Sequence, residues 1–346
     1  MGKINFYIII AIFICSCNSE NNLDKSIKNI TYDDFQSIEN LDYEIVNLDS
    51  IWKPTQIFIE DNNLILIDKS QENFAQVFDF ETKLKKCENI TFGVGPNESL
   101  DCWSLQIMKD YILSFSIQTN QLMKYSKKDF LEKSHICNIA TYEAKDYYPT
   151  AMVLLSNNNL VGASHIDTSN TITLFDSLGN KIDKHTPYPI LESSKNYKDI
   201  ENKFAFQNRI YYNDSNERIV VPYAFTDIFD IYDNDLNLIS RVHGPIGFEP
   251  LMVERDNFLS PNSSTKRSCV LCCLTKKYIW CCYYEGKTAP DNPIPNQILV
   301  FDYEGNPFKV FNLNIDIYGL AVDEENNSIY AIAETPEFSI VKFNYK

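Results

Sequence analysis

The chain has 346 residues, and its 47 acidic against 31 basic side chains give a formal charge of −16. That balance excludes a nucleic-acid protein, because phosphate binding needs a basic surface. A hydrophobic fraction of 44% with 23% charged residues excludes wholesale disorder, and only 10 Gly and 14 Pro exclude collagen-like or linker-dominated chains.

The first sixteen residues read as an address. Lys3 supplies a short positive region, and Ile4 to Ile14 is an apolar run too short to span a bilayer as a permanent helix. The run ends in Ile14-Cys15-Ser16-Cys17, which resembles the bacterial lipoprotein box, an aliphatic residue and two small residues before a Cys. The resemblance implies cleavage after Ser16 and lipidation of Cys17. The competing reading is a buried strand followed by an incidental Cys. Residues 17–40 are expected to be a lipidated tether, since Asn18 to Lys28 shows no core-forming pattern. Acidic surface is repelled by anionic lipid heads, so the lipid itself must hold the protein at the membrane. Asn18 follows the Cys where inner-membrane retention often uses Asp, which favours an exported outer-membrane lipoprotein facing the periplasm or the cell surface.

From about residue 41 nearly every segment reads as a short strand, and only Leu191 to Ala205 is a modest helix candidate. One pattern recurs: strand, tight polar turn, strand, loop, strand. Its copies are Gln56-Ile59, Leu64-Asp68 and Ala75-Phe80; a fainter one from Ser104 through Gln121-Tyr125; then Ala151-Leu155, Leu160-Ser164 and Thr171-Asp176. Arg209-Tyr212, Arg218-Pro222 and Phe229-Asp233 follow, then the Cys-rich hairpin with Gln297-Tyr303, and finally Gly319-Val322, Ser328-Ala333 and Phe338-Phe343. Each third strand ends in an aromatic and a polar turn, and most copies add a fourth strand such as Lys181-Lys184 or Phe308-Asn312. Six copies of four antiparallel strands predict an all-β fold, a six-bladed β-propeller over residues 41–346. The last copy lacks its fourth strand. Asp42-Ser50 mixes apolar and polar residues as a half-buried strand would, and is expected to close the ring from the N-terminal side.

The loop after the first copy reads Phe92-Gly93-Val94-Gly95-Pro96-Asn97-Glu98. With the lipoprotein box and the blade pattern, it resembles the TolB-like six-bladed propeller lipoproteins of Bacteroidetes, many of which carry a similar G-x-G-P-x-E loop. The resemblance implies the fold and export, and no settled activity. Asn97 stands where Gly is common, a departure that Asn tolerates in left-handed turns. A nucleotide-binding reading fails, because Glu98 would repel phosphate and Pro96 removes an amide donor. Gly93, Gly95, Pro96 and Glu98 are expected to form a structural turn, with Glu98 hydrogen-bonding back to amides.

Eight cysteines lie beyond the box, five of them between Cys269 and Cys282. On a hairpin, adjacent cysteines point to opposite faces, so small buried core residues are the favoured reading. A cross-strand disulfide and a zinc site are the alternatives.

Up-and-down strands put short first-to-second turns on one face and the longer connections on the other, where binding residues concentrate. Candidate ligand-binding residues at those ends are His165, Asp167, Arg209, Tyr223, Asp227, Tyr283, Tyr284 and Glu285, with Arg209 best placed to face the channel. The expected function is a membrane-anchored exported lipoprotein whose propeller binds or scaffolds a polar partner: a glycan, a peptide or a protein. No catalytic residues, metal ligands or cofactors are assigned. No metalloprotease or nucleophile-elbow spacing occurs, so an enzyme is the less favoured class. The alternative is a metal-dependent hydrolase or lyase at the channel mouth, with Ca in the channel.

Overall fold

A computed structural model describes residues 26–48, 51–163, 169–193, 197–255, 258–268, 271–284 and 294–346. The repeated strands form six small sheets in chain order. Blade 1 is Pro54–Glu60, Asn63–Asp68, Asn73–Asp79 and Lys85–Thr91; blade 2 is Ser104–Ile107, Tyr111–Ser116, Gln121–Ser126 and Ala140–Tyr142. Blade 3 is Ala151–Leu154, Leu160–Ala163, Thr173–Phe175 and Lys181–Ile182; blade 4 is Tyr211–Asn213, Arg218–Pro222, Ile228–Tyr232 and Leu238–His243. Blade 5 is Leu271–Leu274, Ile279–Tyr283, Gln297–Phe301 and Pro307–Leu313. Blade 6 is Gly319–Asp323, Ser328–Glu334 and Phe338–Asn344, completed by Tyr43–Val46 antiparallel to Phe338–Asn344. The fold is thus an all-β, six-bladed propeller closed by an N-terminal strand.

Middle strands such as Asn63–Asp68 and Ile279–Tyr283 are buried at every position. Each sheet is covered on both faces by its neighbours, so these strands read as continuous apolar runs instead of alternating ones. The cores accordingly lie between blades. One joins Val220 and Phe229 of blade 4 to Cys281 and Phe301 of blade 5; another joins Trp280 and Val300 of blade 5 to Ile329 and Val341 of blade 6.

Side chains on the inner strands clamp the ring together. Gln56 donates to the Trp103 carbonyl at 3.0 Å and accepts from the Leu105 amide at 3.2 Å, tying blade 1 to blade 2. Gln106 does the same from blade 2 to blade 3, with 2.7 Å to the Leu154 carbonyl and 2.9 Å from its amide. The Ser156 amide donates to the Tyr212 hydroxyl at 3.1 Å, and Asn213 donates to the Thr275 carbonyl at 2.6 Å. These bonds carry the clamp through blades 3, 4 and 5.

The framework starts earlier than residue 41. Within the span expected to be tether, Ile27–Asn29 runs parallel to Arg241–His243, and Ser37–Leu41 runs parallel to Lys309–Leu313. Residues 27–46 therefore form a strap along the outer edges of blades 4, 5 and 6. Ile30, Phe35 and Leu41 anchor it in the cores, and the Phe35 ring meets Phe301 edge-on at 5.5 Å.

The polar turns after the third strands have a common construction in blades 3, 4 and 5. Asp176, Asp233 and Asp302 each accept from the amides two and four residues on, and the Asn at the fourth position donates to the same carboxylate. The residue before that Asn is left-handed: Gly179, Leu236 and Gly305. At Gly179 (φ 79) a Cβ would also lie 1.9 Å from the Glu143 carbonyl oxygen.

Three features depart from the strand pattern. A short helix, Asp199–Ala205, lies inside the one helix candidate; a second, Lys127–Glu132, and a hairpin, Met252–Arg255 with Phe258–Pro261, were not anticipated.

Candidate functional site

The six inner strands surround a central channel of about 940 Å³. At the short-turn end its wall is charged. Lys127 pairs there with Glu60 and, at 3.1 Å, with Asp61. Burial raises the Glu60 pKa, opposed by its Lys127 partner.

The long-loop end is different. Arg209, two residues before the inner strand of blade 4, lines the channel as expected. Its guanidinium lies over the Trp103 ring at 5.5 Å, and Lys69, from the second-to-third loop of blade 1, lies over the same ring at 4.7 Å. Trp103 directly precedes the inner strand of blade 2, so Arg209 reaches across the position of blade 3, which contributes the small Ala151 there. Among the described residues neither cation has a carboxylate partner or a side-chain hydrogen bond. Two cations gathered on one aromatic ring stand out in a chain of charge −16.

The other candidates separate. Tyr223 is fully buried, not presented on the face; its hydroxyl donates to Asp230 at 2.7 Å, beside Tyr232, which donates to the same oxygen at 2.9 Å. Arg241 closes this cluster with a fork onto Asp230, 2.7 Å at each nitrogen, and 3.0 Å to the Pro187 carbonyl. Burial, the Asp230 charge and the neighbouring Tyr232 push the Tyr223 phenol well above its usual range.

Asp227 and Tyr283 do come together, but inside the protein. Asp227 accepts from the Tyr283 hydroxyl at 2.9 Å, from the Gly247 amide at 3.0 Å and from the Ile246 amide at 3.2 Å. His243, a residue the sequence reading did not single out, lies 3.1 Å from the other Asp227 oxygen and 3.2 Å from the Phe248 carbonyl. Burial alone would lower its pKa; the hydrogen bond and charge of Asp227 outweigh that, and the pKa is raised. Gly244 permits this approach, since a Cβ there would lie 3.0 Å from Asp227. The cluster pins the connection between blades 4 and 5 to both blades. Tyr284 is also buried. His165, Asp167, Glu285 and Cys17 lie outside the described residues.

The Gly93–Glu98 loop is a built turn. Glu98 accepts from the Gly95 amide at 2.7 Å, its own amide donates to the Gly95 carbonyl at 3.1 Å, and Asn97 is left-handed at φ 66. A Cβ on Gly93 would fall 2.0 Å from the Glu98 carboxylate, so Gly93 leaves the room that carboxylate occupies.

Lys69 and Trp103 escaped the sequence reading, although Trp103 holds the place before an inner strand that drew attention to Arg209. The face assignment was the signal that could have found it. No group of three or more metal-ligating side chains forms among the described residues, and none of their helices is long and apolar enough to cross a membrane.

Residues 34–325 match the family described as TolB-like 6-blade propeller-like. The chain belongs to this family. Among solved structures, this TolB-like chain is similar to a candidate exported protein of Bacteroides fragilis, at 13% identity and a TM-score of 0.55, over 92% of this chain and 98% of that one. It is also similar to a member of the DUF4221 family from Bacteroides vulgatus, at 12% identity and a TM-score of 0.54, over 88% and 98%. At these identities the likeness is one of fold. No curated protein matches the chain in sequence.

Proposed function

We propose that this TolB-like propeller is the binding module of an exported lipoprotein, anchored at the outer membrane through Cys17, and that it takes an anionic polar ligand at the long-loop mouth of its channel. The observation that carries the reading is the Arg209–Trp103–Lys69 group. A guanidinium presents five donors in a planar fork suited to a carboxylate, and among the described residues Arg209 contacts the Trp103 ring without a carboxylate partner. The same face exposes Trp52, Phe92, Val94, Tyr148 and Ile246, whereas the first-to-second turns on the opposite face are polar. The charge of −16 repels polyanions at long range, so the fitting ligand carries few charges: a glycan with isolated uronate groups, or the carboxylate terminus of a peptide.

Isothermal titration of the purified protein with acidic oligosaccharides, their neutral counterparts and short peptides tests this. Acidic ligands bind and neutral ones do not, and the two ligand sets separate glycan from peptide. Arg209→Ala weakens binding by about 10-fold or more, as loss of a charged hydrogen-bond pair does. Arg209→Lys falls between, because it keeps the charge and loses the fork. Binding by Arg209→Ala equal to wild type would overturn the assignment.

A further inference from the structure

The inner hairpin of blade 5 holds four described cysteines in register-defined positions. Cys272 stands directly opposite Cys281, and their Sγ atoms are 3.3 Å apart. Their chain neighbours are not so arranged: Cys273 stands opposite Trp280, and Cys282 opposite Leu271. Alternation turns Cys273 and Cys282 towards blade 6, while Cys272 and Cys281 face blade 4. Directly opposed residues of an antiparallel pair have Cα atoms about 4.5–5.5 Å apart, inside the range a disulfide accepts.

We propose that Cys272 and Cys281 form a cross-strand disulfide that staples the inner hairpin of blade 5. The oxidant is a disulfide of a small thiol or of an oxidoreductase. The Cys272 thiolate attacks one of its sulfurs, a mixed disulfide forms and the first thiolate of the oxidant leaves. Cys281 then attacks the Cys272 sulfur and expels the second. Two protein thiols lose two protons and two electrons, and one oxidant disulfide becomes two thiols.

Access fits this order. Cys272 is half-buried and lines the channel, so it can meet an oxidant; Cys281 is buried and needs only to reach its neighbour. Burial pushes the Cys273 thiol up to about 12 and Cys282 well above its usual range, which removes both as competing thiolates at neutral pH. The inference is independent of what binds at the channel mouth.

The hairpin turn contains Lys276 and Lys277, so trypsin severs the chain between the two cysteines. The purified full chain, reduced and then equilibrated with oxidised glutathione, is alkylated, digested and analysed by mass spectrometry. The peptides carrying Cys272 and Cys281 are expected to remain joined in wild type and in Cys273→Ser, and to separate in Cys272→Ser and Cys281→Ser. Separate peptides in the oxidised wild type, or joined peptides in Cys272→Ser, overturn the proposal.

Discussion

At the scale of single residues, polar side chains inside this propeller are held in pairs and forks, some within a blade and some between blades. Asp230 and Arg241 illustrate the cost structure: both are essentially inaccessible, and the pair is tolerable only because each guanidinium and carboxylate contact is made. The Asp227–His243–Tyr283 cluster has a measurable consequence. The His243 pKa is raised above its ordinary value of 6.5, so its charged form is favoured in the folded state. A raised pKa contributes stability that is fully present below the unfolded value and is lost as pH rises through the folded one. The thermal midpoint is therefore expected to fall as pH rises above about 6.5, and His243→Gln, which cannot titrate, should flatten that slope. The Glu249 charge acts in the same direction as Asp227, more weakly. A wild-type midpoint that is flat or rising over this range would contradict the assignment.

At the scale of elements, the strap is the feature the sequence concealed. Its strands are three and five residues long and mix apolar with charged positions, so neither periodicity nor length separates them from a tether. Their partners are the outer strands of blades 4 and 5, more than 200 residues away, and only the parallel ladder there reveals them. The closing strand Tyr43–Val46 was legible because blade 6 visibly lacked a fourth strand. The Cys-rich hairpin was legible too, down to the opposite facing of adjacent cysteines, because period-two alternation is a property of the backbone. The strap predicts a sharp contrast between truncations. A chain beginning at Ser26 keeps the whole strap and serves as the reference. One beginning at Asp42 loses Ile30, Phe35 and Leu41 from the cores, each worth about 1.5–3 kcal/mol as an upper estimate, and should unfold at a clearly lower urea concentration.

At the scale of the whole molecule, the ring is a set of wedges, none of which buries its own faces. Stability therefore resides in the joints. Gln106 supplies both hydrogen bonds to the Leu154 peptide across one joint, so Gln106→Ala leaves a buried amide and a buried carbonyl without partners. Each orphaned group costs about 1–3 kcal/mol, and the loss should appear as a lowered denaturation midpoint with the β-sheet circular dichroism of the folded state unchanged. An unaltered midpoint would mean that solvent or a neighbour satisfies the Leu154 peptide. The channel and its two unlike mouths are likewise properties of the ring. Arg209, Trp103 and Lys69 come from blades 4, 2 and 1, and the geometry that gathers them exists only when all six wedges are assembled.

What the sequence determined by itself was whatever is local: strand periodicity, the aromatic-Asp turns, the Gly93–Glu98 turn and, from these, the count of six units. What only the tertiary structure decided was which strand-end residues look into the channel and which are swallowed between blades. Tyr223 and Arg209 stand at comparable strand ends, yet one is sealed against Asp230 and the other opens onto the cavity. The physical reason is that a residue near the end of a strand has its direction set by the twist of its blade and the neighbour packed against it. Both are contacts between segments far apart along the chain.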